Sequence, residues 1–342
     1  MVDEVAGGGV VDLVTMGCAW SLDLSALDAD LAAEMRDRWG RCIQLASSPT
    51  TLRLVDEPTT VRVTVGERPQ IGPGEAAVSS GDAERLPYVL SRELTRLGLT
   101  RLRGRASLLH AAALADADGR AVVLVAPSGG GKSTATRVLG ERLGYVTDES
   151  VVLLADGRIA PHPKPPSLVI DPADRWHKAE PAPDAVGLGA TPPTPRIAAL
   201  LTLGRDPEVT ESRIEPVGLI DQILAVLPET SSTWWLDDGL DRLARAVTAG
   251  GEPARLVYSE IDTCHDLVRE HLARATPVEP VWEHIAAKGD QRRPRELVDA
   301  AEPELGELGG TDQFVRAPWS DAIARDGEVL VLTGPHPLRL AG

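Results

Sequence analysis

The chain has 342 residues and carries 51 acidic against 35 basic side chains, a formal charge of −16. That balance excludes a protein whose main work is gripping nucleic acid, which needs clustered lysine and arginine to release counterions. Three widely spaced cysteines, Cys18, Cys42 and Cys264, form no CxxC pair and no cysteine-histidine cluster of zinc spacing, so neither a disulfide framework nor a structural zinc is expected.

The N-terminus lacks the basic and apolar blocks of a secretory signal, and no apolar run approaches bilayer-spanning length. The expectation is a cytoplasmic protein with no membrane partner. Residues 10–15 and 61–65 read as strands. Residues 25–39 carry apolar side chains at helical spacing behind a cap candidate, Ser25. A turn-rich stretch at 72–81 precedes a second helix candidate at 88–99, so residues 1–100 predict a smaller, mixed α/β domain.

From Leu108 the pattern changes to two apolar strands joined by a tight turn at residues 116–119. A turn centred on Ala117 and Asp118 sets His110 opposite Val125. The second strand would then have an antiparallel, sequence-adjacent partner. A helix is expected over 132–143 and a short hairpin over 150–160, with its turn at Asp156-Gly157. Residues 161–195 are so rich in proline that long regular structure is not expected, which suggests a substrate-facing loop or a connector. A strand at 197–203, helices at 218–227 and 236–249, a strand at 255–258 and a helix at 265–275 complete a domain over 101–286. Residues 287–311 read as a linker. Residues 312–342, with a strand candidate at 328–333, read as a terminal hairpin or a partial peptide-recognition element.

The most informative segment is Ala126-Pro-Ser-Gly-Gly-Gly-Lys132-Ser133, between the second strand of that hairpin and a helix. Consecutive glycines let successive backbone N–H groups point into one concavity, where a polyphosphate can be held. The expected cradle is Ser128, Gly129, Gly130, Gly131, Lys132, Ser133 and Thr134. Lys132 supplies a compact positive charge, and the Ser133 hydroxyl is placed to coordinate Mg²⁺ at the helix N-terminus. The usual GxxxxGK[ST] pattern opens with glycine, and Ala126 is a small residue that its looser form admits. A nucleoside triphosphate and Mg²⁺ are the expected ligands of such a loop.

Phosphoryl transfer also needs a group to orient or deprotonate the acceptor. Asp148 and Glu149 follow a short apolar step after the expected helix. One of them can enter the Mg²⁺ shell while the other takes the proton of an incoming hydroxyl. An exposed acidic pair opening a hairpin is the alternative. His110, beside the mouth of the loop, can modulate those carboxylates, although a lone histidine on an apolar strand is ordinarily a satisfied core residue.

The block formed by His110-Ala-Ala-Ala-Leu, the 126–133 loop, Thr147-Asp148-Glu149 and Pro161-His-Pro-Lys-Pro165 resembles HPr kinase/phosphorylase. It resembles especially the shorter HPr-kinase-related proteins of bacterial peptide-biosynthesis clusters, across about residues 106–170. The resemblance implies an α/β fold: an HPr-kinase-like P-loop domain with a mixed, partly antiparallel sheet, plus the smaller N-terminal α/β domain. It assigns functional roles to His110, Lys132, Ser133 and Asp148, with Glu149 at a second acidic position where the family more often has aspartate. It also extends to the proline-rich step around His162 and Lys164. HPr kinases carry an EIRGLG-type signature. The nearest string here, Asp184-Ala-Val-Gly-Leu-Gly189, has no arginine, which argues against HPr as the substrate.

The resemblance implies an ATP-dependent kinase acting on a hydroxyl, and in the related biosynthetic proteins the acceptor can be a serine of a ribosomally made precursor peptide. On that reading Asp148, His110 and Lys132 are catalytic, and Ser133 and Glu149 hold the metal. Residues 312–340 faintly resemble the opening strands of PqqD-like peptide-recognition domains. Two other readings share these residues: a nucleotide-dependent module that holds a peptide without phosphorylating it, and a kinase for a small hydroxylated metabolite bound by residues 160–200. Related proteins often assemble into homo-oligomers, but nothing in these helices marks an interface.

Overall fold

A computed structural model describes residues 9–171, 174–231, 233–277, 281–285, 320–332 and 337–341. Near the N-terminus, β1 (Val10–Thr15) and β2 (Cys18–Asp23) form a hairpin whose two turn residues, Met16 and Gly17, both have positive φ, 56° and 71°. Such turns match the twist of the strands they join. α1 (Ala29–Arg38) starts at Asp28, whose carboxylate accepts from the Leu31 N–H at 2.8 Å. The cap is therefore Asp28 and not Ser25, which instead donates to Asp23. α2 (Gly40–Ser47), β3 (Val55–Val65), β4 (Ala76–Ser80) and α3 (Leu86–Leu102) complete the unit. The sheet runs β1-β2-β3-β4, with β1 antiparallel to β2 and the other neighbours parallel. β4 lies where the sequence suggested only turns.

Next come β5 (Ser107–Leu109), β6 (Ala111–Ala115), β7 (Arg120–Val125), α4 (Lys132–Leu139), β8 (Gly144–Thr147), β9 (Val151–Leu153) and β10 (Ile159–Ala160). The proline-rich stretch contains regular structure after all, a hairpin of β11 (Leu168–Asp171) and β12 (Asp174–Ala179). Its preceding step, Pro161 to Pro166, is buried. The Pro161 carbonyl accepts from the Met16 N–H at 2.9 Å, and His162 bonds Thr15 and Thr95. That step is a connector sealed against the N-terminal unit.

β13 (Arg196–Arg205), β14 (Arg213–Pro216), α5 (Leu219–Val226), α6 (Gly239–Val247), β15 (Ala254–Tyr258) and α7 (His265–Arg274) follow. The central sheet has the order β14-β15-β13-β7-β6-β8. β7, β13 and β15 are mutually parallel, and β6 is antiparallel to both β7 and β8. Side chains alternate between two covered faces, as a strand buried on both sides requires. Ala111, Ala113, Val123 and Val125 pack with residues of α5 and α6, whereas Ala112, Leu114, Val122 and Leu124 pack with residues of α4 and α7. The chain is thus a mixed α/β protein with seven α-helices among the described residues.

The strand candidate at 328–333 belongs to a four-stranded antiparallel sheet: β16 (Glu283–Ile285), β17 (Asp321–Arg325), β18 (Glu328–Leu332) and β19 (Pro337–Ala341). Asp321 ties it to α6, accepting from the Leu240 N–H at 2.6 Å. The expected linker at 287–311 and the segment from 312 to Trp319 lie outside the described residues. The cysteines are free and buried. Burial raises Cys18 to about 11 and Cys42 to about 12. Among the described residues no helix is long and apolar enough to cross a membrane.

Candidate active site

Topology brings three distant sequence motifs to one edge of the central sheet. β8 and β7 are each antiparallel to β6, so they run the same way and both end at that edge, where β6 begins. The glycine loop after Val125, the Asp148-Glu149 pair after Thr147 and His110 just before β6 therefore meet. The hairpin register is one residue from the expected one: Ala111, not His110, opposes Val125. Asp116 N–H bonds the Arg120 carbonyl at 3.0 Å around a three-residue turn closed by Gly119 at φ 78°. That odd-length turn moves the pairing by one.

The loop's glycines are required by geometry. Gly129 and Gly131 have φ of 81° and 96°, a region that side chains strongly disfavour. A Cβ on Gly130 would lie 2.8 Å from the Ala126 Cβ and 3.0 Å from the Pro127 oxygen. The first motif position and Gly130 thus pack face to face, so alanine is about as large as position 126 can be. α4 begins at Lys132 with no side chain capping it. The N–H groups of Lys132, Ser133 and Thr134 therefore have no intrahelical acceptor and are available to an anion. The helix stops at Leu139, short of the expected 143. A Cβ on Gly140 would collide with Leu188 at 2.6 Å, and its carbonyl accepts from Gly189 at 2.7 Å.

Lys132 folds back onto its own loop, donating to the carbonyls of Ala126 and Pro127, with its ammonium 4.0 Å from Glu229. Burial pushes its pKa down, against the pull of Glu229 and Glu149. His110 is exposed, and its backbone N–H is fixed by the Glu229 carbonyl at 2.6 Å. Desolvation and then Lys132 lower its pKa against three nearby carboxylates, so the imidazole is neutral at neutral pH.

The two carboxylates of the acidic pair are not equivalent. Asp148 is 6% exposed, while the Glu149 side chain is 37% exposed. Asp148 Oδ1 takes the Tyr145 hydroxyl at 2.8 Å and the Lys164 ammonium at 3.1 Å, and Oδ2 takes the Ser167 N–H at 3.2 Å. A carboxylate offers about four lone-pair positions, so one on Oδ2 is left. Burial alone would raise the Asp148 pKa, but the charge of Lys164 and the hydrogen bonds from Tyr145, Lys164 and Ser167 outweigh it and hold the group below its ordinary value.

Lys164, fully buried, also lies 3.4 Å from Glu149 and donates to the Pro165 carbonyl. Burial disfavours its charge, yet Asp148, Glu149 and Glu180 together raise its pKa. Glu180, bonded to the Ser167 hydroxyl, is pushed by burial up to about 7 against the pull of Lys164. Burial and then Lys164 push the neighbouring His162 down to about 3.

The glycine loop, His110 and the acidic pair border a cavity of about 520 Å³. His110, Ser128, Gly129, Gly131, Lys132, Ser133, Thr134, Asp148 and Glu149 all line it; of the expected site residues only Gly130 does not, being turned into the loop's own packing. Sequence reasoning missed Tyr145, Glu229 and Glu180, the site contacts of Lys164, and the Val169 and Lys178 wall. One signal existed for Lys164, which is the only lysine, arginine or acidic residue between Arg158 and Asp171. The paired tryptophans Trp234 and Trp235 stack on each other, 4.6 Å between ring centroids, away from the cavity.

Among the described residues no three His, Cys, Asp or Glu side chains gather as a metal cluster. A divalent ion held by Ser133 and Glu149 would complete its shell with phosphate oxygens and water, as Mg²⁺ at a nucleotide does. The chain matches no protein-family model, and no curated protein matches it.

Proposed function

We propose that the chain is an ATP- and Mg²⁺-dependent phosphotransferase with an HPr-kinase-like nucleotide domain, and that its acceptor is a hydroxyl, most readily a serine of a precursor peptide. The observation that carries this reading is the meeting of an open glycine cradle with a buried, lysine-anchored carboxylate across one cavity. A nucleotide-binding module alone has no use for a buried carboxylate, anchored from behind by Lys164, that faces the same space.

Lys132 and the N–H groups of the loop and first helical turn hold the phosphates. Ser133 and Glu149 hold Mg²⁺, which when bound draws charge from the phosphate oxygens. Asp148 presents its remaining Oδ2 lone pair to the acceptor. The acceptor oxygen bonds to the γ-phosphorus while the bond from phosphorus to the bridging oxygen breaks. ADP leaves with that electron pair, and the hydroxyl proton passes to Asp148. A carboxylate held below its ordinary pKa is a weak base, which suits a loose transition state in which the proton moves late. His110, neutral, offers a hydrogen bond to the phosphate region without adding charge.

Incubation with ATP, Mg²⁺ and a candidate precursor peptide should add one phosphate, read by mass spectrometry. Asp148→Asn should keep ATP affinity while transfer falls by about 10²- to 10⁴-fold. Full transfer by that variant would refute the base assignment, and ATP turnover that leaves the peptide unmodified would favour a hydrolytic binding module.

A further inference from the structure

Phosphoryl transfer spreads negative charge over the equatorial oxygens of the moving group, and enzymes of this kind meet it with a cation beyond the loop lysine. Arginine is the usual provider, but the arginines of the surrounding strands are occupied elsewhere. Arg196 bonds the Asp156 carbonyl at 2.6 Å, Arg205 pairs with Glu260 at 2.7 Å, and Arg213 pairs with Glu215 at 2.9 Å. None of them lines the cavity. Lys164 is sealed from solvent and neutralised by its own carboxylates.

Lys178 differs from all of these. It stands on β12 directly opposite Val169 of β11, and both line the cavity. Among the described residues it has no ion-pair partner, although the chain carries an excess of acid. The hairpin leaves the acidic pair at once: Ser167, whose N–H holds Asp148, immediately precedes β11. Lys178 is thereby tied through its hairpin to Asp148, the base of the proposed transfer, and lines the same cavity as Lys132 and the loop. A long, flexible ammonium stem on a two-stranded arm suits a charge that develops only during reaction, since it need not be held in place beforehand.

We propose that Lys178 is a catalytic residue whose ammonium contacts the phosphoryl group as it passes from ADP to the acceptor. The inference rests on the phosphotransferase reading and names a cation that its sequence motifs do not supply. Lys178 then contributes to the transition state and not to the resting nucleotide.

The test requires no knowledge of the acceptor. Binding of Mg²⁺-ADP to the full chain is measured by calorimetry with and without aluminium fluoride, which mimics the phosphoryl group in flight with water in the acceptor's place. Aluminium fluoride should tighten ADP binding by the wild-type chain. Lys178→Ala should bind ADP alone within about twofold of wild type but lose about 100-fold of the tightening, the scale of one transition-state contact. Lys178→Arg should restore most of it. Undiminished tightening in Lys178→Ala overturns the proposal, and so does an equal loss in ADP affinity, which would make Lys178 a ground-state phosphate contact. A wild-type chain that binds no ADP overturns the nucleotide reading together with this one. Tightening shared by wild type and Lys178→Ala leaves the phosphotransferase reading standing and removes Lys178 alone.

Discussion

Two lysines flank the acidic pair, and their surroundings are opposites. Lys132, on the loop side, rests on two neutral carbonyls, and its nearest carboxylate, Glu229, is 4.0 Å away. Lys164, on the buried side, is enclosed with Asp148 at 3.1 Å and Glu149 at 3.4 Å. Burial lowers the pKa of the first, while the carboxylates around the second raise its pKa despite deeper burial. The same residue type therefore does two jobs. A charge facing neutral dipoles can be transferred to an arriving phosphate, whereas a charge already matched by carboxylates is part of the fold.

That difference is most directly broken by removing each charge in turn. Lys164→Met leaves Asp148 buried without its cation, so the folded state should lose about 3–5 kcal/mol, read from the urea midpoint. Lys132→Met removes a cation held by two carbonyls and only a distant carboxylate, Glu229 at 4.0 Å, and the stability change without ligand should stay below about 1 kcal/mol. If the loop holds a nucleotide as proposed, ATP should stabilise the wild-type chain and that stabilisation should vanish in Lys132→Met. Equal losses at the two positions would erase the distinction.

Glu180 sharpens the comparison on the buried side. Its folded-state pKa of about 7 lies above the ordinary 4.5. Between those values the folded chain keeps a proton that the unfolded chain has released, so this group's contribution is full below about pH 4.5 and is lost as pH rises through 7. Glu180→Gln never ionises. Its stability relative to wild type should therefore improve by about 1–3 kcal/mol on going from pH 5 to pH 8. Parallel stability curves for the two proteins across that range would show that Glu180 is already ionised in the folded state.

The loop side was legible in the sequence because its parts are contiguous. A strand, a glycine run, GKS and a helix occupy neighbouring positions, and the antiparallel β6–β7 pairing follows from two apolar runs and a short turn. Only the turn's length escaped, by one residue, because counting apolar positions does not reveal a left-handed Gly119. The buried side was not legible, since its contacts depend on long-range packing. Lys164 is buried because the Pro161 carbonyl meets Met16 and His162 meets Thr15 and Thr95, partners from the far end of the chain. β4 was hidden for a similar reason: Ala76–Ser80 has weak strand character of its own and is placed by parallel pairing with β3. The β11–β12 hairpin was masked by the prolines around it, which bracket the strands and leave their interiors free.

A small effect is also expected on the loop side, at Glu229. Its carboxylate lies 4.0 Å from the Lys132 ammonium, and its backbone oxygen fixes His110. The backbone contact survives any substitution of the side chain, so Glu229→Gln removes only charge. If the Lys132 ammonium is held for an arriving phosphate, the Glu229 carboxylate competes for it and repels the incoming anion. Glu229→Gln should then tighten ADP binding by about two- to tenfold, or less than about 1.4 kcal/mol, as measured by calorimetry at low salt. The gain should shrink as salt is added, because the competing group is partly open to solvent. Weaker binding in Glu229→Gln would mean that Glu229 holds Lys132 in its working position, and the loop lysine would then be matched to a carboxylate much as Lys164 is.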